Sequence, residues 1–245
     1  MVIHVVTLFP EMMVGVFETS MMKRAQDKAL VELRLVPLRW FGVGPHRITD
    51  DYPFGGGVGM VLRPDVVVPA VEWAMMHHAA PGKVVVTSAQ GTPFNQRMAE
   101  AWSQCEHLIF VAGHYEGVDQ RAVDLLQGEE VSVGDYVVTG GELPVMIMVD
   151  AVVRLLPGVL GARGGALDYS FSDCLNGLLE GPQYTRPQSY RKREVPQALV
   201  SGNHAKVAEY KRKLRLEVTR ARRPDLLREN DVNCLKKGGE TGGLH

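Results

Sequence analysis

The sequence predicts an α/β fold built on a largely parallel sheet, followed by a smaller basic helical region. Three observations carry that expectation. Up to residue 160, apolar segments with strand patterning alternate with segments of helical spacing. Glycine-rich loops fall at the ends of strand-like segments, where an open α/β sheet forms its ligand crevice. The alternation stops at Gly161-Ala162-Arg163-Gly164-Gly165-Ala166, which has no periodicity and reads as a linker.

Residues 2–8 read as a buried strand and 11–28 as an amphipathic helix. Residues 30–37 alternate apolar and polar side chains as a half-exposed strand does. Residues 64–78 are helical, 83–88 a strand and 95–105 a helix. The strand at 107–112 leads to a short helix near 120–126. The strand at 130–133 leads to an apolar helix over 144–156, which Pro157-Gly158 ends. Pro144 suits a first helical turn, where its missing N–H costs nothing. Beyond the linker, Ser201-Gly202-Asn203-His204 offers an N-cap to a basic helix over 203–222. Residues 238–245 read as frayed.

Composition narrows the class. The 245 residues, 45% hydrophobic and 22% charged, suffice for one large domain or two small ones with a real core. Cys105, Cys174 and Cys234 are far apart and form no CxxC, which argues against a disulfide framework or a zinc site and fits a reducing cytoplasm. The N-terminus has no signal-peptide pattern. The most apolar stretch, 143–160, contains Asp150, Arg154 and two prolines, which argues against a membrane span. Residues 1–185 hold 12 Lys+Arg against 21 Asp+Glu, a net of −9, whereas 186–237 hold 15 against 6, a net of +9. A split of that size points to a nucleic-acid partner, although a charge run alone reads equally well as a solvated helical face.

Three glycine loops carry the candidate chemistry: 52–60, 113–119 and 134–144. None matches GxGxxG or GxxxxGK[ST], which counts against a Rossmann dinucleotide site and a P-loop. Gly134, Gly140 and Gly141 let backbone approach a ligand. Arg154 has the spacing of an i, i+4 ion pair with Asp150 and is also what an anionic intermediate needs. Glu116 sits inside a glycine loop, and Asp168 and Asp173 flank Tyr169-Ser170-Phe171-Ser172. His46, Arg47, Asp50 and Asp51 precede the first loop, as a surface cluster or as partners for a base edge.

These stretches resemble bacterial tRNA (guanine-N(1)-)-methyltransferase, the TrmD family of the SPOUT (knotted) methyltransferase class. The matching residues are 8–12, His46-Arg47, Asp50-Asp51, 52–60, 113–119, 132–144, 157–161, 178–187, Val195-Pro196 and 201–204. They span residues 1 to about 227. The resemblance implies a SPOUT-type parallel sheet with a deep trefoil knot that binds S-adenosylmethionine in a bent shape. It divides the chain into a catalytic domain over 1–161, a flexible linker over 162–178 and a basic helical tRNA-binding domain over 179–245. It implies a homodimer with the active site at the subunit interface. The implied substrate is tRNA with a guanosine just 3′ of the anticodon, preceded by another guanosine, and the 1-methylguanosine formed supports reading-frame maintenance.

The resemblance also assigns roles. Val86, Ser88, Gly113, Tyr115, Glu116, Val133, Gly134, Tyr136, Val138, Gly140, Gly141 and Pro144 fall where the family lines its cofactor pocket. His114 stands where many members have Arg. Asp50, Gly55, Gly56, Gly57, Gly59, Tyr184, Arg186, Ser201 and His204 fall at substrate-binding positions. Arg154 matches the catalytic arginine. The general base is an aspartate written Asp-Ser-Phe or Asp-Ser-His in the family. This chain reads Asp168-Tyr169-Ser170-Phe171, so the base is assigned to Asp168, with Asp173 as the alternative and Glu116 next. Such a base is needed because guanine N1 carries a proton, and a cation is needed for charge developing on O6. Some members need Mg²⁺, for which this sequence has no ligand pattern of its own. Two other readings compete: a SPOUT enzyme acting on ribosomal RNA, and a catalytically silent RNA-binding protein.

Overall fold

The structure, a computed structural model, describes residues 1–160 and 169–227. The chain divides into two compact units, Met1–Gly161 and Ala162–His245. In chain order the first contains β1 (Val2–Thr7), α1 (Glu11–Phe17), α2 (Ser20–Asp27), β2 (Glu32–Pro37), β3 (Asp50–Asp51), β4 (Val61–Leu62), α3 (Pro64–Met76) and β5 (Lys83–Pro93). It continues with α4 (Gln96–Trp102), β6 (His107–Val111), α5 (Gln120–Leu126), β7 (Glu129–Ser132) and α6 (Glu142–Val153). Five strands form one sheet in the order β2-β1-β6-β5-β7, and every pairing in it is parallel. The α/β class with a parallel central sheet is thus as the sequence predicts.

Helices cover both faces, which is why β1, β6 and the first half of β5 are largely apolar. Successive side chains point to opposite faces. Ile3, Val5, Val85, Leu108 and Phe110 enter one core with Met13 of α1, Trp102 of α4 and Met148 and Val149 of α6. Their neighbours Val6, Val84, Val86, Ile109 and Val111 enter a second core with Val66, Val67 and Ala70 of α3 and Ala122 of α5.

Three details differ from the sequence reading, each for a local reason. The single helix expected over 11–28 is broken at Thr19, which is extended. Its Oγ1 donates to the Gly15 carbonyl at 2.7 Å, the competition with helix bonding that threonine offers. The strand expected to end at Ser88 continues to Pro93 through a bulge, since both Thr87 and Thr92 pair with Val131. The first glycine loop is the tip of an antiparallel hairpin, with Asp50 paired to Leu62 and Asp51 to Val61.

The second unit contains β8 (Ser189–Tyr190), β9 (Arg193–Glu194), α7 (Gln197–Val200) and α8 (His204–Arg222). Residues 169–178 belong to the stretch that the sequence reads as linker. They close into a turn in which Phe171 N–H donates to Leu178 O at 3.0 Å and Gly177 N–H to Ser172 O at 2.9 Å, with Ser172, Leu175 and Leu178 buried. Thr219 of α8 accepts from Leu179 N–H at 3.0 Å. Residues 162–168 of the expected linker, and 228–245 with the expected frayed end, lie outside the described residues. Among the described residues no helix is long and apolar enough to cross a membrane.

Candidate functional site

The sheet places the bulge of β5, the 113–119 loop after β6 and the 134–144 loop after β7 side by side, near the strand ends that open α/β sheets use for ligands. Thr87 is the junction. Its Oγ1 accepts from Gly113 N–H at 2.9 Å and donates to Val111 O at 3.3 Å, tying β5 to the start of the 113–119 loop. Gly141 N–H donates to Gly113 O at 2.6 Å, and His114 bridges Gly140 in antiparallel fashion, which ties 113–119 to the loop before α6. The first glycine loop joins through main chain as well. Glu116 N–H donates to Met60 O at 2.9 Å, Leu62 N–H to Gly117 O at 2.9 Å and Asp119 N–H to Leu62 O at 3.0 Å.

The β5 bulge, 113–119 and the segment before α6 line an open cavity of about 440 Å³. Its wall includes Val86, Ser88, Gly113, Tyr115, Glu116, Val133, Tyr136, Val138, Gly140, Gly141 and Pro144, all singled out in the sequence. Gly134 is not part of the wall. It has φ of +151°, and a Cβ there would sit 2.6 Å from the Tyr136 ring, so its freedom serves the packing of that tyrosine. The sequence reading missed Thr87, Ala89 and Gln90, which line the cavity because the bulge carries them there. No periodicity marks a bulge. Gly91 was its available signal, because a Cβ at that position would lie 2.7 Å from Glu130 O.

A buried carboxylate supports the site from behind. Glu142, in the first turn of α6, is fully buried, and its Oε1 accepts from Thr7 Oγ1 at 2.8 Å. That threonine oxygen also accepts from Phe9 N–H at 3.0 Å. Glu142 Oε2 and His114 Nδ1 have no hydrogen-bond partner, and His114 Nε2 lies 3.9 Å from Glu142 Oε2. Carboxylate, imidazole and threonine thereby connect β1, the 113–119 loop and α6. Asp119 caps α5 by accepting from Arg121 N–H at 2.9 Å, and its bond to the Arg121 guanidinium holds its carboxyl below the usual range.

The remaining sequence-predicted residues are dispersed. Asp50 lies on β3 and accepts from Thr49 Oγ1 at 3.0 Å, while Asp51 takes Arg63 at 3.1 Å. Gly55, Gly56, Gly57 and Gly59 form the hairpin tip with φ of +90°, +82°, +127° and +104°. Gly59 faces the second loop, where a Cβ would come within 2.5 Å of Glu116 Oε1. Arg154 follows the last turn of α6, its N–H donating to Asp150 O at 3.1 Å. Asp173 is exposed at the start of a 3-10 turn, and Asp168 lies outside the described residues. In the second unit, Tyr184, Arg186, Ser201 and His204 are exposed. Ser201 accepts from Asn203 N–H at 3.3 Å, and Asn203 caps α8 by accepting from Ala205 N–H and Lys206 N–H at 3.1 Å. Among the described residues, no group of three or more His, Cys, Asp or Glu side chains is placed to hold a metal ion.

Known proteins resemble this chain over most of its length. The family model described as tRNA (Guanine-1)-methyltransferase TrmD matches residues 1–229. A tRNA (guanine-N(1)-)-methyltransferase of Moorella thermoacetica is 51% identical over 226 residues, covering 92% of this chain and 89% of that protein. The proteins of the same name from Staphylococcus epidermidis and Bacillus cereus are each 48% identical, covering 94% and 97% of this chain and 91% and 96% of theirs. The loops that build the cavity fall within each of these long matches, and the chain belongs to the tRNA (guanine-1)-methyltransferase TrmD family.

Proposed function

We propose that the chain methylates N1 of the guanosine just 3′ of the anticodon in tRNA, drawing the methyl group from S-adenosylmethionine. The observation that carries this reading is the closure of two glycine loops, 113–119 and 134–144, and the β5 bulge around one cavity, fastened by main-chain hydrogen bonds, in a member of this family. The described residues fit such a cofactor. About 440 Å³ suits a small-molecule site, and the wall offers backbone polar groups and two tyrosines rather than fixed charges alone. The bound cofactor supplies the methyl group as a sulfonium electrophile.

The chain's own residues do the rest. Gly113, Gly140 and Gly141 hold the wall by close backbone approach, and Tyr115, Glu116, Tyr136 and Val138 bound the space above it. Asp168 takes the proton from guanine N1, with Asp173 as the alternative. Arg154 stabilises charge that develops on O6. The knot implied by the family belongs to this reading, and the pairing of 113–119 with the loop before α6 supports it. So does a homodimer, supported by the exposed apolar side chains Met12, Val14 and Val16 of α1 and Leu143 and Ile147 of α6. The domain over 179–245 binds tRNA, supported by the excess of cations in 186–237. The cytoplasm and reading-frame maintenance follow from that substrate.

Calorimetric titration with S-adenosylmethionine, followed by single-turnover methylation of tRNA, tests the reading. Asp168→Ala and Arg154→Ala keep cofactor binding and lose roughly two to four orders of magnitude in methyl transfer. If Asp173→Ala alone is inactive, the base moves to Asp173. Full activity in both aspartate variants removes this loop from the mechanism. Chelation in the same assay settles Mg²⁺, since loss of transfer on adding EDTA assigns the ion to this chain.

A further inference from the structure

The second unit carries a hairpin whose residues lie in the expected tRNA-binding domain but outside the expected substrate-binding set. Residues 182–194 are exposed throughout, so no core holds them. Ser189 nevertheless pairs with Glu194 and Tyr190 with Arg193, and Val195 N–H donates to Gln188 O at 2.9 Å. The two turn residues are Arg191 with φ of +50° and Lys192 with φ of +64°. A two-residue turn with both φ positive favours Asn, Asp and Gly, and long side chains are strained there. An isolated two-stranded hairpin is marginal even without that strain. What the strained turn gains is three consecutive cations at its tip, Arg191, Lys192 and Arg193, with Glu194 the acidic residue beside them. Tyr190 stands next to the cations, 62% exposed although the Arg191 guanidinium lies 5.4 Å from its ring centroid.

We propose that this hairpin is an RNA-contacting arm, in which Arg191, Lys192 and Arg193 take backbone phosphates and Tyr190 stacks on an unpaired base. The inference rests on the tRNA reading above and extends it to residues outside the expected substrate set. An acidic protein surface would use the cations but has no need of the aromatic face. Unpaired RNA uses both, through phosphate contacts and base stacking.

The test measures binding of an unmodified tRNA transcript to the full-length protein across a salt series. For the triple variant R191A/K192G/R193A, the slope of log affinity against log salt falls by about two, since each single-strand phosphate contact contributes about 0.7. Tyr190→Ala weakens binding roughly five- to hundredfold with little change in slope, as for a lost base stack. Lys192→Gly separates binding from structure. It relieves the left-handed backbone, so the melting temperature holds or rises while tRNA affinity falls. A triple variant with the wild-type slope overturns the arm, and so does one that changes only the oligomeric mass, which would make the hairpin a contact between copies. If the wild-type chain methylates tRNA and the variant slope is unchanged, the arm alone fails. If the wild-type chain neither binds nor methylates tRNA, the functional reading fails with it.

Discussion

At Gly141 a single hydrogen atom separates a formed site from a blocked one. A Cβ there would overlap Thr87 Oγ1, with Gly113 N at 2.5 Å and Ala112 Cα at 2.8 Å. Two of those three atoms are main chain and have no rotamer to adopt. Gly141→Ala is therefore expected to cost about 1–3 kcal/mol, the range for overpacking, and to weaken ligand binding in the cavity. Gly55→Ala is the contrast. Nothing lies within 4 Å of a Cβ at Gly55, and its φ of +90° leaves only backbone strain of ~1–2 kcal/mol. Melting curves and cofactor titration on both variants decide the matter. Equal losses of binding would mean that the Gly141 contacts do not shape the cavity. The sequence marked Gly141 as special because two glycines precede an apolar helix. It could not mark Thr87, whose partners Gly113 and Val111 lie 26 and 24 residues away. Glu142 was missed for a similar reason. A carboxylate in a first helical turn ordinarily faces solvent, and burial of this one depends on Thr7 from a strand 135 residues distant.

At the scale of elements, the amino end of the β1–β6 pair holds a second buried polar group. His107 Nδ1 lies 3.2 Å from Ala80 O, an atom that can only accept, so Nδ1 carries the proton. His107 Nε2 then accepts from His4 Nδ1 at 2.9 Å, and His4 Nε2 is left buried without a partner. Burial first, then repulsion from His107, Arg34, His77 and His78, pushes the His4 pKa down to about 4. Burial also lowers that of His107. A group whose folded pKa is depressed below the unfolded value of about 6.5 stabilises the fold above that pH. The stabilisation is lost as pH falls from about 6.5 toward 4, by up to ~3 kcal/mol for His4. Urea denaturation between pH 7 and pH 4 should show this acid limb, and His4→Leu should flatten it. An unchanged limb in that variant would assign acid sensitivity to other groups. Strands with continuous apolar character were legible along the chain, and so was the long α8. The β8–β9 hairpin was not, because Arg191-Lys192 is not a sequence that signals a turn. The break between α1 and α2 was hidden by helical spacing that continues through Thr19 and Ser20.

At the scale of the molecule, the alternation of apolar patterns gave the class of fold, but no pattern specifies strand order. The order β2-β1-β6-β5-β7 is what puts 113–119 and the loop before α6 at the ends of β6 and β7, on either side of β5. Both were recognisable separately as glycine loops, and only the fold makes them one wall. The outer face of α6 extends the argument to assembly. Leu143 is 48% and Ile147 51% exposed, one turn apart, and Pro144 between them lines the cavity. Leu143→Asp with Ile147→Asp should convert a dimer to monomers in sedimentation equilibrium and reduce methyl transfer with it. A wild-type chain already monomeric at micromolar concentration, or a variant that keeps the dimer mass, would contradict the proposed interface.

The way the cavity is walled has a bearing on inhibition and resistance. The wall at Gly113 and Gly141 is held by main-chain hydrogen bonds between its own segments, so its shape depends little on side-chain identity. At Gly141 every substitution adds atoms where Thr87 and Gly113 already lie. A compound that fits against that close-packed backbone would therefore meet a target with few mutational exits, since a change that excludes the compound would also deform the site the protein needs.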